Sequence, residues 1–144
     1  MARAPNIAAA FLNLQTEMKR SDIGRRGEEA AAQYLAANGY EIIARNYRAG
    51  HLETDIICRR DGRTAFVEVK TRTPASAKYG RPAAAVDKRK SERLVACAEA
   101  YIREMRARGE DVPRPRIDVI EVFFSGAECK ITHLQNAVMK EENT

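Results

Sequence analysis

Asp55, Glu68 and Lys70 are the residues whose types and spacing could do chemistry, and they lie in two adjacent segments, LETDIICRR (52–60) and TAFVEVKT (64–71). Between the segments stands Asp61-Gly62, a strong signal for a two-residue hairpin turn. A symmetric turn there pairs residues whose numbers sum to 123, which sets Asp55 opposite Glu68 and Glu53 opposite Lys70. Strand alternation then gathers Glu53, Asp55, Glu68 and Lys70 on one face. Directly opposed side chains have Cβ atoms about 4.5–5.5 Å apart. Two carboxylates that close repel each other unless one takes up a proton or a cation binds between them. Hard oxygen donors suit Mg²⁺ or Mn²⁺, whose remaining shell is water and phosphate. A metal that polarises a phosphate and activates water, with a lysine beside the developing charge, is the equipment of phosphodiester hydrolysis. The register depends on the turn, since an odd-length loop would put these groups on opposite faces. The competing reading is a surface charge ladder in which Glu53 pairs with Lys70.

The surrounding elements must hold these groups in place. Ser21 and Asp22 are expected to cap a helix that runs to about Asn38, with Gly39 at its C′ position. Glu28 lies three, four and seven residues before Ala31, Ala32 and Leu35, on or beside their apolar face. Tyr40 to Tyr47 reads as a strand, followed by Leu52 to Arg60 and Thr64 to Thr71. Residues 73–86, with Pro74, Gly80 and Pro82, read as a loop. A second helix is expected from just after Asp87 to Arg108, ended by Gly109, with Leu94, Val95, Ala98, Tyr101, Ile102 and Met105 as its apolar set. Arg116 to Phe124 gives a fourth strand and Lys130 to Leu134 a short fifth. The order implies one α/β domain over residues 21–138, a mixed sheet of four to five strands flanked by helices. Residues 1–20 read as a flexible extension and 139–144 as a tail.

At 144 residues the chain can bury a core without disulfides. No apolar run approaches the roughly 20 residues needed to span a bilayer, and the N-terminus makes a poor signal peptide. Cys58, Cys97 and Cys129 are odd in number and widely spaced, which argues for reduced thiols and a cytosolic address rather than a zinc site or disulfide framework. The net charge is +5. Between Arg59 and Arg93 there are 11 Lys/Arg against 4 Asp/Glu, more than the whole excess. A clustered basic surface suits a phosphate-backbone partner, although a solvated helix face would also account for it.

Asp55 followed by Glu68-Val69-Lys70 resembles the PD-(D/E)xK motif of restriction-endonuclease-like nucleases. More closely, the chain resembles the YraN-type family of small bacterial proteins. The matching segments are GRRGEEAA (24–31), ARNYR (44–48), HLETDIIC (51–58), FVEVKTR (66–72), YGRPAAAV (79–86), RIDVIEV (116–122) and ITHLQNAV (131–138), in that order. The resemblance implies a restriction-endonuclease-like sheet, kin to archaeal Holliday-junction resolvases, in which a helical glutamate joins the strand carboxylates at the metal. Glu28 matches that position. The family stretch glycine-glutamate-apolar-aspartate is here Leu52-Glu53-Thr54-Asp55, so Thr54 replaces an apolar residue expected to face away from the site.

These readings lead to a Mg²⁺- or Mn²⁺-dependent nucleic-acid phosphodiesterase, with DNA, and more weakly branched DNA, favoured by family analogy. Asp55, Glu68 and Glu28 would hold metal, and Lys70 would orient water or stabilise charge. Arg48, Arg72, Lys78, Arg81 and Lys88 would grip nucleic acid, while Glu53 and His51 are accessory candidates. Asp118 reads as an ion-pair partner of Arg116 and His133 as structural. Cleavage of a duplex or junction would call for two sites and hence a homodimer. The alternatives are a non-catalytic nucleic-acid-binding module and a protein-interaction adaptor.

Overall fold

A computed structural model describes residues 20–77 and 87–138. The elements run α1 (Arg20–Ala37), β1 (Glu41–Ala49), β2 (Leu52–Arg60), β3 (Arg63–Arg72), α2 (Pro74–Ala77), α3 (Lys88–Ala107), β4 (Arg116–Ser125) and β5 (Glu128–Leu134). The five strands form one sheet in the order β1-β2-β3-β4-β5. All neighbours are antiparallel except β3 and β4, which are parallel. A parallel pair needs a crossover connection, and α3 lies within it. This mixed sheet flanked by helices is the expected α/β class and is consistent with a restriction-endonuclease-like fold.

The helix stops follow from glycine. Tyr40 N–H bonds to Leu35 C=O and Gly39 N–H to Ala36 C=O, and Gly39 has φ +83°. Glu110, Arg106, Met105 and Gly109 repeat the pattern at the end of α3, with Gly109 at φ +74°. Asp87 caps α3 by accepting from Lys90 N–H at 2.8 Å. The start of α1 differs from expectation: Ser21 and Asp22 lie inside the helix, which already includes Arg20. Part of the expected loop is also helical, because Thr73 and Ser76 bond each other's backbone N–H and close the single turn of α2.

Strand alternation divides the core between the two helices. Ile56, Cys58, Ala65, Val67, Ile120 and Val122 pack against Ala31, Ala32 and Leu35 of α1. Ile57, Phe66 and Ile117, on the opposite face, pack against Leu94, Ala98 and Tyr101 of α3. Each buried Val, Leu, Ile or Phe among them contributes about 1.5–3 kcal/mol. Gly27 brings α1 onto the sheet, for a Cβ there would collide with the Thr71 side chain. Asp118 is fully buried on the α1 face. Its carboxylate accepts from Arg116 Nε at 2.9 and 3.1 Å and from Asn136 N–H at 2.9 Å, and lies 2.8 Å from His133 Nε2. Arg116 also donates to Tyr40, and His133 pairs with Tyr34. Burial would raise the Asp118 pKa, but the hydrogen bonds from His133, Arg116 and Asn136 override it and hold the acid below its ordinary range. The expected structural roles of Asp118 and His133 agree with this network. Cys58, Cys97 and Cys129 are free, the first two buried and the third exposed.

Thr54 is 2% exposed, and its hydroxyl has no hydrogen-bond partner among the described residues. Even-numbered residues of β2 face α1, so this side chain points away from Asp55, as expected. A buried unsatisfied hydroxyl is destabilising. Thr54→Val keeps the shape and removes the orphan group, and is expected to stabilise the protein by about 1 kcal/mol. Urea unfolding checks this; an unchanged or lower stability would mean that the hydroxyl is satisfied in solution.

Candidate metal centre between splayed strands

The turn at Asp61-Gly62 has φ +50° and +70°, so both residues adopt the left-handed conformation of a two-residue hairpin turn. The resulting register is the expected one: Arg60 pairs with Arg63, Cys58 with Ala65, and Ile56 with Val67. There the β2–β3 ladder ends, one pair short of Asp55 and Glu68. Continued regular pairing would have given the Val69 N–H to Thr54 C=O. Instead it donates to Asp55 Oδ2 at 2.7 Å. β3 remains paired with β4 as far as Arg72, and β2 with β1 as far as Leu52. The two strands therefore part where the acids stand. On β1, the position facing Asp55 is Asn46, whose φ of +52° is tolerated by asparagine better than by most residues.

The Asp55 carboxyl lies within hydrogen-bonding reach of Glu68 and feels the charge of Glu28. Burial first, and then the Glu68 charge, push Asp55 far above the usual carboxylate range, to about 8, against the opposing Val69 hydrogen bond. Glu28 is also raised, by burial first and then by Glu53 and Glu68, with Arg45 and Arg25 pulling the other way. α1 thus brings Glu28 into the electrostatic neighbourhood of the strand acids. Among the described residues no three His, Cys, Asp or Glu side chains form a ready-made metal cage. The Asp55–Glu68 pair fits a hard cation that uses one or two carboxylates and fills its shell with water and phosphate.

The other candidates are placed as follows. Lys70 lies on the Glu68 face of β3, partly exposed, and no described side chain pairs with it. The expected Glu53–Lys70 pairing is absent because the ladder has ended; Glu53 faces Arg48 on β1, with 4.0 Å between their charged groups. Arg48 is largely exposed. Arg72 is held by Glu121 of β4 at 3.0 Å, both side chains mostly buried, so its guanidinium already has an anion. Lys88 is exposed at the start of α3, and His51 is exposed in the β1–β2 turn. Lys78 and Arg81 lie outside the described residues.

Gly27 and Asn46, important to this geometry, were not singled out by the sequence as parts of the site, and Lys90 stood out only as one of the basic residues opening the second helix that suit phosphate. Lys90 of α3 places Nζ 2.9 Å from Glu68 Oε1. Gly27 sets the close approach of α1, and a glycine inside a helical pattern was the available signal. Asn46 was visible only as a polar residue within a strand.

Residues 27–122 match the model of the uncharacterised protein family UPF0102, corresponding to the YraN-type resemblance of the ordered segments. A UPF0102 protein of Caldanaerobacter subterraneus subsp. tengcongensis is 36% identical over 84% of this chain and 98% of its own length. One of Bacteroides thetaiotaomicron is 37% identical over 83% of this chain and 93% of its own. One of Symbiobacterium thermophilum is 44% identical over 69% of this chain and 80% of its own.

The raised Asp55 pKa has a consequence for stability. Its folded value, about 8, lies above the ordinary 3.8 of an unfolded chain. The native state therefore keeps a proton that the unfolded chain releases. The stability due to that proton is fully present below about pH 4 and is lost as pH rises through 8. Asp55→Asn, which can still accept from Val69, escapes this loss. In a chelating buffer it is expected to gain on wild type by on the order of 1–2 kcal/mol between about pH 6 and pH 8. Denaturation curves at several pH values measure the gap; a gap independent of pH contradicts the assignment.

Proposed function

The chain belongs to the uncharacterised protein family UPF0102, and we propose that it is a divalent-metal-dependent nucleic-acid phosphodiesterase, acting as an endonuclease with DNA as the favoured substrate. The observation that carries this reading is the partly buried Asp55–Glu68 carboxyl pair, with Lys70, which pairs with no described side chain, two residues from Glu68 on the same strand face. A structural acid pair of this kind would be expected to have its charge cancelled by the fold. Here no described cation pairs with Asp55, which instead has an elevated proton affinity, a mark of a site prepared for an external cation.

Asp55 and Glu68 would hold Mg²⁺ or Mn²⁺, with Glu28 acting through the water shell. The bound ion would polarise the scissile phosphate and lower the pKa of a water molecule. Val69 N–H fixes one oxygen of Asp55 and leaves the other available. The Lys70 ammonium would orient the attacking water or stabilise charge on the phosphate. The excess of basic residues between Arg59 and Arg93 supports a polyanionic substrate. Arg48 and Lys88 are exposed and available to it, whereas Arg72 would first have to leave Glu121. The same basic surface would also serve a non-catalytic binding module, and turnover separates the two readings.

The test is strand cleavage of single-stranded, duplex, flap and four-way-junction DNA with Mn²⁺ and with Mg²⁺. Wild type is expected to cut at least one substrate. Asp55→Asn, Glu68→Gln and Lys70→Ala are each expected to lower the rate at least about 100-fold, the scale of removing one electrostatic stabiliser. DNA binding without cutting would favour the binding module. Equal cutting by all variants would mean that the activity belongs to another site or another protein.

A further inference from the structure

Among the described residues Lys90 is the cation paired with Glu68, and its position is unusual on three counts. It lies on a helix rather than on the strands that carry the acids, yet its ammonium is 2.9 Å from Glu68 Oε1. The Glu68 side chain is 12% exposed and that of Lys90 41%, so the glutamate is the desolvated partner and the lysine the one with a way out to water. Finally, the first turn of α3 carries Lys88, Arg89 and Lys90 and no acid. Positive charge at a helix N-terminus opposes the helix dipole, and the N-cap Asp87 is taken up with the Lys90 backbone N–H. Glu68 supplies an anion for the Lys90 side chain.

Resting on the metal-centre reading above, we propose that Lys90 is a resident counter-ion that exchanges Glu68 for a nucleic-acid phosphate when the site takes up a divalent cation. While the site holds no metal, the lysine neutralises the more desolvated of the two pairing partners. Once Glu68 turns to a divalent cation, the lysine loses its partner beside a cation that repels it. A four-carbon stem anchored in the first turn of α3 lets the ammonium swing to solvent, where a phosphate bound near the metal is the nearest source of negative charge. Lys90 would thereby be a second lysine of the site, distinct from Lys70, and would favour cation and nucleic acid arriving together.

Lys90→Met keeps the length of the side chain without its charge. By calorimetry it is expected to bind Mn²⁺ roughly 3–10-fold more tightly than wild type, because no competitor holds Glu68. With Ca²⁺ in place to suppress turnover, it is expected to bind duplex DNA roughly 3–10-fold more weakly, with the slope of log affinity against log salt reduced by about 1. Unchanged or weaker Mn²⁺ binding would overturn the exchange, and unchanged DNA binding would overturn the phosphate contact. Glu68→Gln separates this idea from the reading beneath it. If Glu68→Gln loses Mn²⁺ binding while Lys90→Met binds as wild type does, only the exchange fails. If Glu68→Gln binds Mn²⁺ as wild type does, the metal centre itself is wrong and the exchange falls with it. A measurement on the wild-type protein avoids any folding defect: acetylation of Lys90, read by mass spectrometry, is expected to rise severalfold when Mn²⁺ is added. Constant labelling would overturn the proposal.

Discussion

The hydrogen bond from Val69 N–H to the Asp55 carboxylate is where a regular sheet gives way to a site. Up to Ile56 and Val67 the β2–β3 hairpin satisfies its backbone in the ordinary way. One residue further, a side chain takes the place of a backbone carbonyl. The substitution keeps the Val69 N–H satisfied and frees the two strands to follow different neighbours. It also aligns Asp55 beside Glu68 at the point where they part. The crowding of acids, the elevated proton affinity of Asp55 and the involvement of a lysine from α3 all follow from that departure.

Two aspartates on opposite faces of the same sheet, Asp118 buried and Asp55 partly so, show how differently a fold can treat the same group. Asp118 receives hydrogen bonds from Arg116 and Asn136 and sits against His133, and the combination keeps it ionised although it is fully buried. It joins β4, β5, α1 and the start of β1 through Tyr34 and Tyr40, a role that is complete without any ligand. Asp55 has one backbone donor, and its other neighbours are acids. Its surroundings favour a proton at neutral pH and would favour a cation more strongly. Desolvation raises the proton affinity of both residues. The sign of the neighbouring charge distinguishes a structural carboxylate from one available for chemistry.

Much of this was legible in the sequence because it depends on local rules. Asp61-Gly62 fixed the hairpin register, and with it the proximity of Asp55 and Glu68. Gly39 and Gly109 marked helix ends, and helical spacing put Glu28 beside Ala31 and Leu35. The features that escaped depend on contacts between distant elements. Arg72 looked like a free cation because its partner, Glu121, becomes a neighbour only through the parallel β3–β4 pairing. Lys90 could be seen at a helix start, but its reach to Glu68 depends on how α3 docks across the sheet. The Glu53–Lys70 pairing failed for a different reason. The turn gave the register correctly, and nothing in the turn told where the ladder would stop. Ser21 and Asp22 were good capping residues that the helix incorporates within its first turn instead.

Every role proposed for this site depends on Asp55 and Glu68 together holding a divalent cation. Anomalous diffraction at the manganese edge, from crystals equilibrated with Mn²⁺, tests it most directly. A peak is expected within about 2.2 Å of one oxygen from each of these two carboxylates, with Lys90 withdrawn from Glu68. The absence of a peak between them, with the Lys90–Glu68 contact intact at a saturating Mn²⁺ concentration, would contradict it.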